Sequence, residues 1–207
     1  SPINLYGASK LVSDKLFVAA NNYLNPEKHR TVFLAVRYGN VLGSSGSVIP
    51  KFIKQIKANK PVTITDPKMT RFSITMNEAL DFIFNATKIG KGSEVFIPKL
   101  HAYNIVDVKN ALTELLSDTS EKIVGIRTGE KLHETLINAD EIRYGWEFKN
   151  MYMIANPLHP SFTDKNIKES YQGIKKIEDI QEYSSDVVEK IPTKNLKTII
   201  KNAGLLS

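Results

Sequence analysis

The chain has 207 residues, enough for one domain of ordinary size. It contains no cysteine, which excludes disulfides and thiolate metal sites and fits a reducing, cytoplasmic environment. The net charge is +6, but the lysines are scattered, so we expect no nucleic-acid partner, and no apolar run approaches the roughly 18 residues that span a membrane.

Hydrophobic periodicity and turn residues predict helices and strands that alternate along the chain. Residues 5–23 form a predicted helix with one apolar stripe, which Asn25-Pro26 ends, and 31–36 is a β-branched strand typical of buried parallel sheets. A loop at 38–47 carries three glycines and three serines. The elements that follow are helix 48–58, strand 62–65, a turn at Asp66-Pro67, strand 72–75, helix 77–88, strand 94–97, helix 104–116 with Asn104 as its N-cap, strand 122–126, helix 130–137 and strand 151–155.

The last fifty residues are more polar than the rest. We predict that 156–192 is irregular and that 193–202 is a terminal helix, which Gly204 stops. Taken together, the alternation of strands and helices predicts an α/β fold with a parallel sheet covered by helices.

Tyr6 and Lys10 lie in the run Tyr-Gly-Ala-Ser-Lys within the first predicted helix. Four residues are about one helical turn, so both side chains point to the same side. An ammonium group beside a phenol favours the ionised phenol, and a tyrosine in such a place can transfer protons near neutral pH. The same spacing also arises by chance on surface helices, so the pair by itself leaves both interpretations open.

Five segments in order carry a more specific pattern, and they are Tyr6–Lys10, Arg37–Val41, Gly43–Pro50, Ile64–Phe72 and Gly125–Glu134. Together they resemble the extended short-chain dehydrogenase/reductase family, which acts on nucleotide sugars, and above all its 5-inverting UDP-N-acetylglucosamine 4,6-dehydratases. The resemblance implies the C-terminal part of a Rossmann-like parallel sheet plus a smaller α/β substrate-binding lobe. It divides the chain into 1–60 (NAD(P)-binding domain), 61–155 (substrate-binding lobe, with some strands returning to the sheet) and 156–207 (C-terminal extension).

Family members begin with a strand, a glycine-rich turn and a helix that hold the dinucleotide pyrophosphate. No G-x-G-x-x-G occurs in this chain, and the family's catalytic Asp-Lys pair would precede Ser1. We therefore expect the chain to be the C-terminal portion of a longer enzyme and to be inactive alone.

The cofactor that the resemblance implies is NADP, although the residues that separate NADP from NAD fall outside this chain. Tyr6 and Lys10 would be catalytic and would also bind the nicotinamide ribose. In similar enzymes much of the proton transfer is assigned to the upstream Asp-Lys pair, so the role of Tyr6 would be partly or mainly that of a cofactor ligand. The loop that would pass the nicotinamide consists of Val41, Leu42, Gly43, Ser44 and Ser45. Relatives often carry arginine where Ser45 stands, which weakens a side-chain role at that position.

The substrate-binding residues that the resemblance implies are Asn40, Val48, Thr65, Arg127 and Glu130. Each can also have a purely structural role: Asn40 can stabilise its own turn, Val48 can pack in the core, and the Thr65 hydroxyl can cap a turn. Arg127 and Glu130 can form an ion pair with each other. Arg71 can face a phosphate or pair with Asp66. We predict no metal site, because His133 has no second ligand at a matching spacing.

The implied reaction is the dehydration of UDP-N-acetylglucosamine with inversion at C5, which gives UDP-2-acetamido-2,6-dideoxy-β-L-arabino-hexos-4-ulose for surface polysaccharide or protein glycosylation. The implied partners are a UDP-N-acetylhexosamine substrate and further copies of the protein in a homo-oligomer. Two different functions stay open, namely a UDP-sugar 4-epimerase and a non-catalytic sugar-nucleotide-binding module.

Overall fold

A computed structural model describes residues 2–25, 27–159 and 162–206. The chain forms two compact units, and each is assembled from three separate stretches. Unit 1 comprises Ser1–Tyr38, Leu80–Lys99 and Thr135–Tyr183, and unit 2 comprises Gly39–Ala79, Leu100–Glu134 and Ser184–Ser207. The predicted domains are successive segments instead, and their assignment to cofactor and substrate stays a prediction.

Seven α-helices and twelve short strands are present in the described part of the chain. The helices are α1 (Leu5–Ala20), α2 (Val48–Lys57), α3 (Met76–Ile89), α4 (Ile105–Leu115), α5 (Ala139–Ile142), α6 (Asp164–Ser170) and α7 (Thr193–Asn202), and a 3₁₀ turn (Asn21–Tyr23) extends α1. The strands are β1 (Ala35–Val36), β2 (Asn40–Val41), β3 (Val62–Ile64), β4 (Thr70–Ile74), β5 (Val95–Pro98), β6 (Ala102–Asn104), β7 (Glu121–Ile123), β8 (Thr135–Ile137), β9 (Gly145–Glu147), β10 (Met151–Ile154), β11 (Lys175–Lys176) and β12 (Tyr183–Ser184).

Unit 1 is built on a five-stranded sheet in the order β1-β5-β10-β9-β11. Strands β1 and β5 are parallel, and the remaining neighbours are antiparallel. The register places Phe96, Met153 and Trp146 in one row across the three central strands, and all three side chains are fully buried. Lys176 ends this row on β11, where its ammonium lies 4.4 Å from the centre of the Trp146 ring.

Unit 2 packs helices α2, α4 and α7 around short strands. Strand β4 pairs with β2 in parallel and with β6 antiparallel, and β3 pairs with β7 in parallel. Helix α2 buries Ile49, Phe52, Ile53 and Ile56. These positions follow the i, i+3, i+4, i+7 spacing of one helical face, so the sequence pattern itself dictates which side of α2 meets the core.

The α/β fold class and most element types are as predicted, but the predicted helix at 130–137 is wrong. Residues 135–137 form strand β8, and the preceding residues form turns. The Lys131 and Leu132 carbonyls accept hydrogen bonds from the Arg71 guanidinium at 2.7 and 3.0 Å, and the Leu132 carbonyl also accepts from the Thr70 amide. These carbonyls are therefore used in tertiary contacts rather than in a helix.

Two other segments depart from the predictions. Only Ala35–Val36 of the predicted strand 31–36 enters the sheet. Just before it, the side-chain amide of Asn21 pairs with both backbone groups of Phe33 at 2.7 and 2.8 Å, and the Phe33 carbonyl also accepts from the Ser93 amide at 2.8 Å. Within the predicted irregular segment 156–192, helix α6 forms under a Thr163 cap and buries Ile167. The predicted stop of the first helix includes Pro26, which lies outside the described residues.

Terminal helix α7 forms where predicted and is followed by Gly204 at φ +66°. No helix among the described residues combines the length and the apolar character needed to cross a bilayer. The predicted N-cap is also present, since the Asn104 side chain accepts a 2.7 Å hydrogen bond from the Val106 amide at the start of α4.

We expect Asn104→Ala to lower the free energy of unfolding by about 1 kcal/mol, because α4 then loses a cap and the amide of Val106 loses its acceptor. Ser47→Ala is the matched control. Ser47 precedes α2 in the same N-cap position, but its hydroxyl makes no cap hydrogen bond and has no partner among the described residues. That change should stay within about 0.5 kcal/mol. Urea unfolding followed by circular dichroism measures both, and equal losses would contradict the assignment.

Candidate functional site

Helix α1 carries the Tyr6–Lys10 pair in unit 1. Its N-cap is Asn4, whose side chain accepts a 2.7 Å hydrogen bond from the Gly7 amide. The Lys10 ammonium lies 5.4 Å from the centre of the Tyr6 ring, so the two side chains share one side of the helix. The Tyr6 side chain is 73% exposed, and its hydroxyl has no hydrogen bond to other described residues. Both polar groups are thus available to a ligand.

An ion-pair network joins α1 to the end of β1. The Arg37 Nε donates to Asp14 Oδ2 at 2.6 Å, and its two terminal nitrogens donate to both oxygens of Glu141 at 2.8 Å. A fourth hydrogen bond, of 3.0 Å, reaches the Leu136 carbonyl. The Lys15 ammonium adds a 3.3 Å contact to Glu141. Three elements of unit 1 therefore meet at one guanidinium.

Glu141 also organises the short helix α5 that holds it. It occupies the third position of a capping box, in which the Asn138 side chain accepts from the Glu141 amide at 2.9 Å. Burial alone would raise the pKa of Glu141, but the hydrogen bonds and charge of Arg37, helped by Lys15, outweigh it and lower the pKa from 4.5 to about 2. The carboxylate is thus charged at neutral pH.

The loop after β2 belongs to unit 2 and consists of two consecutive turns. The Ser44 amide donates to the Val41 carbonyl at 3.2 Å, and the Ser47 amide donates to the Ser44 carbonyl at 3.0 Å. The third residue of each turn is a glycine with φ +75°, namely Gly43 and Gly46. A β-turn with positive φ at this position strongly favours glycine, which explains the spacing in Gly-Ser-Ser-Gly-Ser.

The side chains around this loop differ in their exposure. Asn40 is exposed, and its side chain makes no hydrogen bond to the described residues. Leu42 is buried in the unit 2 core, and Val48 packs against the same core. Ser44 and Ser45 are exposed. Asn40, the Ser44 and Ser45 hydroxyls and the loop backbone between the two glycines therefore present polar groups to a ligand here, whereas Leu42 and Val48 contribute packing.

Thr65 and the Arg127–Glu130 turn follow two parallel neighbours, β3 and β7. The carboxyl ends of parallel strands lie at the same edge of a sheet, so both segments leave the β3–β7 pair on one side. The Arg127 guanidinium has no ion pair to any described residue, so the structural alternative of an Arg127–Glu130 ion pair does not form. Instead, the Arg127 amide donates to the Glu130 carboxylate at 3.4 Å, and the Glu130 amide donates to the Arg127 carbonyl at 3.0 Å.

Arg71 and His133 have structural partners within unit 2. The Arg71 guanidinium binds three backbone carbonyls and lies 3.6 Å from Glu134, not against Asp66. The His133 Nδ1 lies 2.7 Å from the Thr70 hydroxyl, which also contacts the buried Ser185 hydroxyl at 2.8 Å. These two side chains hold the C-terminal segment and the 131–134 turn together.

The predicted site residues thus fall into three groups. Tyr6 and Lys10 lie together on α1 in unit 1, while unit 2 holds both the loop from Asn40 to Val48 and the edge formed by Thr65, Arg127 and Glu130. The roles predicted for these residues stay predictions. Sequence reasoning missed Asp14 and Glu141 as partners of Arg37, and the available signal was an arginine directly after a predicted strand.

A family model described as "polysaccharide biosynthesis protein" matches residues 1–156. The chain belongs to the polysaccharide biosynthesis protein family. Membership in this family confirms the resemblance to the extended short-chain dehydrogenase/reductases that the five sequence segments indicate.

Two relatives show what the family contains. The inverting UDP-N-acetylglucosamine 4,6-dehydratase of Campylobacter jejuni subsp. jejuni serotype O:2 is 44% identical over 191 residues, which cover 90% of this chain and 55% of that enzyme. A UDP-glucose 4-epimerase of Rickettsia bellii (strain OSU 85-389) is 34% identical over 203 residues, which cover 97% of this chain and 58% of the epimerase. The chain therefore spans about half the length of the curated relatives it matches.

A solved structure extends this similarity to three dimensions. The X-ray structure of Pen from Bacillus thuringiensis matches 100% of this chain and 59% of that protein with a TM-score of 0.84 at 35% identity. The similarity confirms the α/β fold class.

The lowered pKa of Glu141 predicts acid sensitivity. A carboxylate whose pKa falls from 4.5 to about 2 on folding stabilises the protein above pH 4.5 and loses this contribution as the pH falls toward 2. Glu141→Gln should lower the free energy of unfolding by about 2–3 kcal/mol at pH 7. It should also make that free energy depend less on pH between pH 4.5 and about pH 2. Urea unfolding at a series of pH values measures the effect.

Asp140→Asn is the matched control for Glu141→Gln. Asp140 is the preceding residue of α5, and its ion pair with Arg143 is largely exposed. Exposed pairs contribute little, so this variant should follow the wild-type pH curve within about 0.5 kcal/mol. An acid transition that is unchanged in Glu141→Gln would contradict the role of the Arg37–Glu141 pair.

Proposed function

We propose that the whole protein is a UDP-N-acetylglucosamine 4,6-dehydratase that inverts C5. The observation that carries this proposal is the exposed Tyr6–Lys10 pair on a capped helix, in a chain 44% identical to an enzyme of that name. The product would be UDP-2-acetamido-2,6-dideoxy-β-L-arabino-hexos-4-ulose, a precursor for surface polysaccharide or protein glycosylation. The overall reaction loses one water and involves no net oxidation.

NADP is the cofactor that we propose, and the polar groups of α1 fit part of it. Tyr6 offers an exposed phenol and Lys10 an exposed ammonium, which suit the two hydroxyls of a nicotinamide ribose. The backbone of Gly43, Ser44 and Ser45 would border the nicotinamide. When bound, the cofactor supplies hydride chemistry, first removing hydride from sugar C4 and later returning it to C6.

The chain's own residues would bind the sugar nucleotide and move protons. In its ionised form beside the Lys10 ammonium, the Tyr6 oxygen would take the proton from the C4 hydroxyl and so become a neutral phenol. A ketone at C4 acidifies the C5 proton, so C5 can lose a proton and C6 a hydroxide, which together account for the water released. Arg127, which has no ion pair among the described residues, suits a diphosphate, while Asn40, Val48, Thr65 and Glu130 would complete the substrate site.

Two further proposals concern the state of the protein. We propose that the active form is a homo-oligomer, because α1 leaves Leu5, Val12 and Leu16 exposed, and apolar side chains of this size favour burial. We also propose that residues 1–207 alone neither retain the cofactor nor turn over, since they contain no glycine-rich dinucleotide motif.

A UDP-sugar 4-epimerase is the second candidate, and the 34% identity to the Rickettsia bellii enzyme favours it over a binding module. An epimerase would share the oxidation at C4 but would return hydride to C4 without losing water. A non-catalytic sugar-nucleotide-binding module is the third candidate, and it would bind UDP-N-acetylglucosamine without changing it.

Proton NMR of the whole protein with UDP-N-acetylglucosamine in deuterated water separates the three candidates. For the dehydratase we expect a new C6 methyl signal, deuterium at C5 and a keto or hydrated C4, and the C5 configuration reports inversion or retention. An epimerase would instead leave C6 unchanged and produce a new C4 stereoisomer. Unchanged substrate, with cofactor bound, would contradict both enzymatic proposals.

Tyr6→Phe should lower kcat by about 100-fold or more and change KM little, because the phenol acts in proton transfer while the ring still packs beside Lys10. Tyr23→Phe is the matched control, since Tyr23 also lies in the first helical segment and is 88% exposed. Steady-state assays of dehydratase activity compare the two. An equal effect of both changes, or none in Tyr6→Phe, would remove Tyr6 from the acid–base chemistry.

A further inference from the structure

We propose that Arg37 is a positioning residue for the helix that carries the Tyr6–Lys10 pair. It binds Asp14 of α1 and Glu141 of α5 at the same time, and so holds α1 at the end of strand β1. The inference rests on the proposed function, in which Tyr6 and Lys10 act on substrate and cofactor. Arg37 itself acts only through α1.

Among the described residues of this chain, helix α1 buries none of its own side chains. Its apolar side chains are well exposed here, with Leu5 at 86%, Leu16 at 65% and Phe17 at 52%. Apolar burial inside unit 1 therefore contributes little to the orientation of α1, and the surface that covers these side chains in the proposed homo-oligomer would add to it. The contacts that unit 1 itself supplies to α1 are mainly directional hydrogen bonds.

These hydrogen bonds are concentrated at the C-terminal half of α1. The Ser93 hydroxyl donates to the Val18 carbonyl at 3.0 Å, and Asn21 pairs with the Phe33 backbone just beyond the helix. Among the described contacts of α1, the Asp14–Arg37 ion pair is the one nearest to Lys10 that reaches another element. Asp14 follows Lys10 by four residues, so this anchor lies one turn from the functional pair.

On α1 the anchor consists of one carboxylate oxygen of Asp14, supplemented by the more exposed Lys15–Glu141 contact of 3.3 Å. Asp14 Oδ1 is buried and has no hydrogen-bond partner among the described residues, so the contact relies on Oδ2 alone. Arginine also suits the position in a way that lysine does not. The planar guanidinium sends separate donors to the two carboxylates and to a carbonyl, whereas an ammonium on a flexible stem cannot reach all three in fixed directions.

The test uses the whole protein with Arg37→Lys and Asp14→Asn. Both variants should lower kcat by about tenfold to a hundredfold, because a displacement of about 1 Å in catalytic groups costs that much. KM for UDP-N-acetylglucosamine should stay within about twofold, since the proposed substrate-binding residues are untouched. Amide hydrogen exchange in residues 8–13 should become about tenfold faster in both variants, as the anchored part of α1 loosens.

The matched controls are Arg30→Lys and Ser13→Ala. Arg30 is exposed and keeps its charge in the variant, and Ser13 is an exposed neighbour of Asp14 on α1. Both controls should match the wild type in kcat and in exchange. If Arg37→Lys does not fold, as judged by its thermal unfolding transition, Asp14→Asn decides the outcome because it weakens the same contact from the opposite side by removing the charge of the carboxylate.

Three results would overturn the proposal. Wild-type kcat in Asp14→Asn would show that the anchor does not matter for turnover, even where exchange is faster. A lower kcat with unchanged amide exchange in residues 8–13 would mean that the loss of activity does not come from loosening of α1. A fall in kcat that only follows the fraction of unfolded protein would make the network merely stabilising.

The exchange measurement also separates this inference from the proposed function. If the wild-type protein shows no dehydratase activity, the proposed function fails. Unchanged exchange in residues 8–13 of the two variants would then overturn the anchoring of α1 as well. Faster exchange in both variants, and in neither control, would support it, whichever reaction the Tyr6–Lys10 pair serves.

Discussion

Arg37 donates four hydrogen bonds, to Asp14, to both oxygens of Glu141 and to the Leu136 carbonyl, and three elements of unit 1 meet there. Removing a partly buried guanidinium from water is costly, and this cost is offset only while the carboxylates stay charged and in place. The network is therefore sensitive to any change in its members. It also gives α1, which buries no side chain, a defined direction.

Unit 2 obtains its order by other means. Its helices bury a conventional apolar core, and the loop that follows β2 is shaped by Gly43 and Gly46 in turns with positive φ. An added Cβ at Gly43 would lie 2.2 Å from a methyl carbon of Leu205, so the side chain of Leu205 also packs closely against this loop and would have to move for a larger residue at Gly43. The loop presents its backbone together with small side chains, those of Ser44 and Ser45.

The family combines enzymes that share a first step and differ in the second. A C6 dehydratase and a C4 epimerase both need a base at the C4 hydroxyl, which is the role proposed for the Tyr6–Lys10 pair. They differ in whether groups are placed to move protons at C5 and C6. The product, and not the Tyr6–Lys10 motif, therefore identifies the reaction.

The sequence by itself determined the features that depend on near neighbours. Helical spacing alone put Tyr6 beside Lys10, the Asn104 cap and helix α7 could be read from adjacent residues, and the α/β class followed from the order of elements. The tertiary structure decided the rest, because the partners are distant in the chain. Glu141 lies 104 residues after Arg37, and the Arg71 contacts that replace the predicted helix 130–137 span about sixty residues. Tertiary packing, and not local propensity, decides which side chains neutralise a buried charge. It also decides which backbone carbonyls bind a guanidinium instead of forming helical hydrogen bonds.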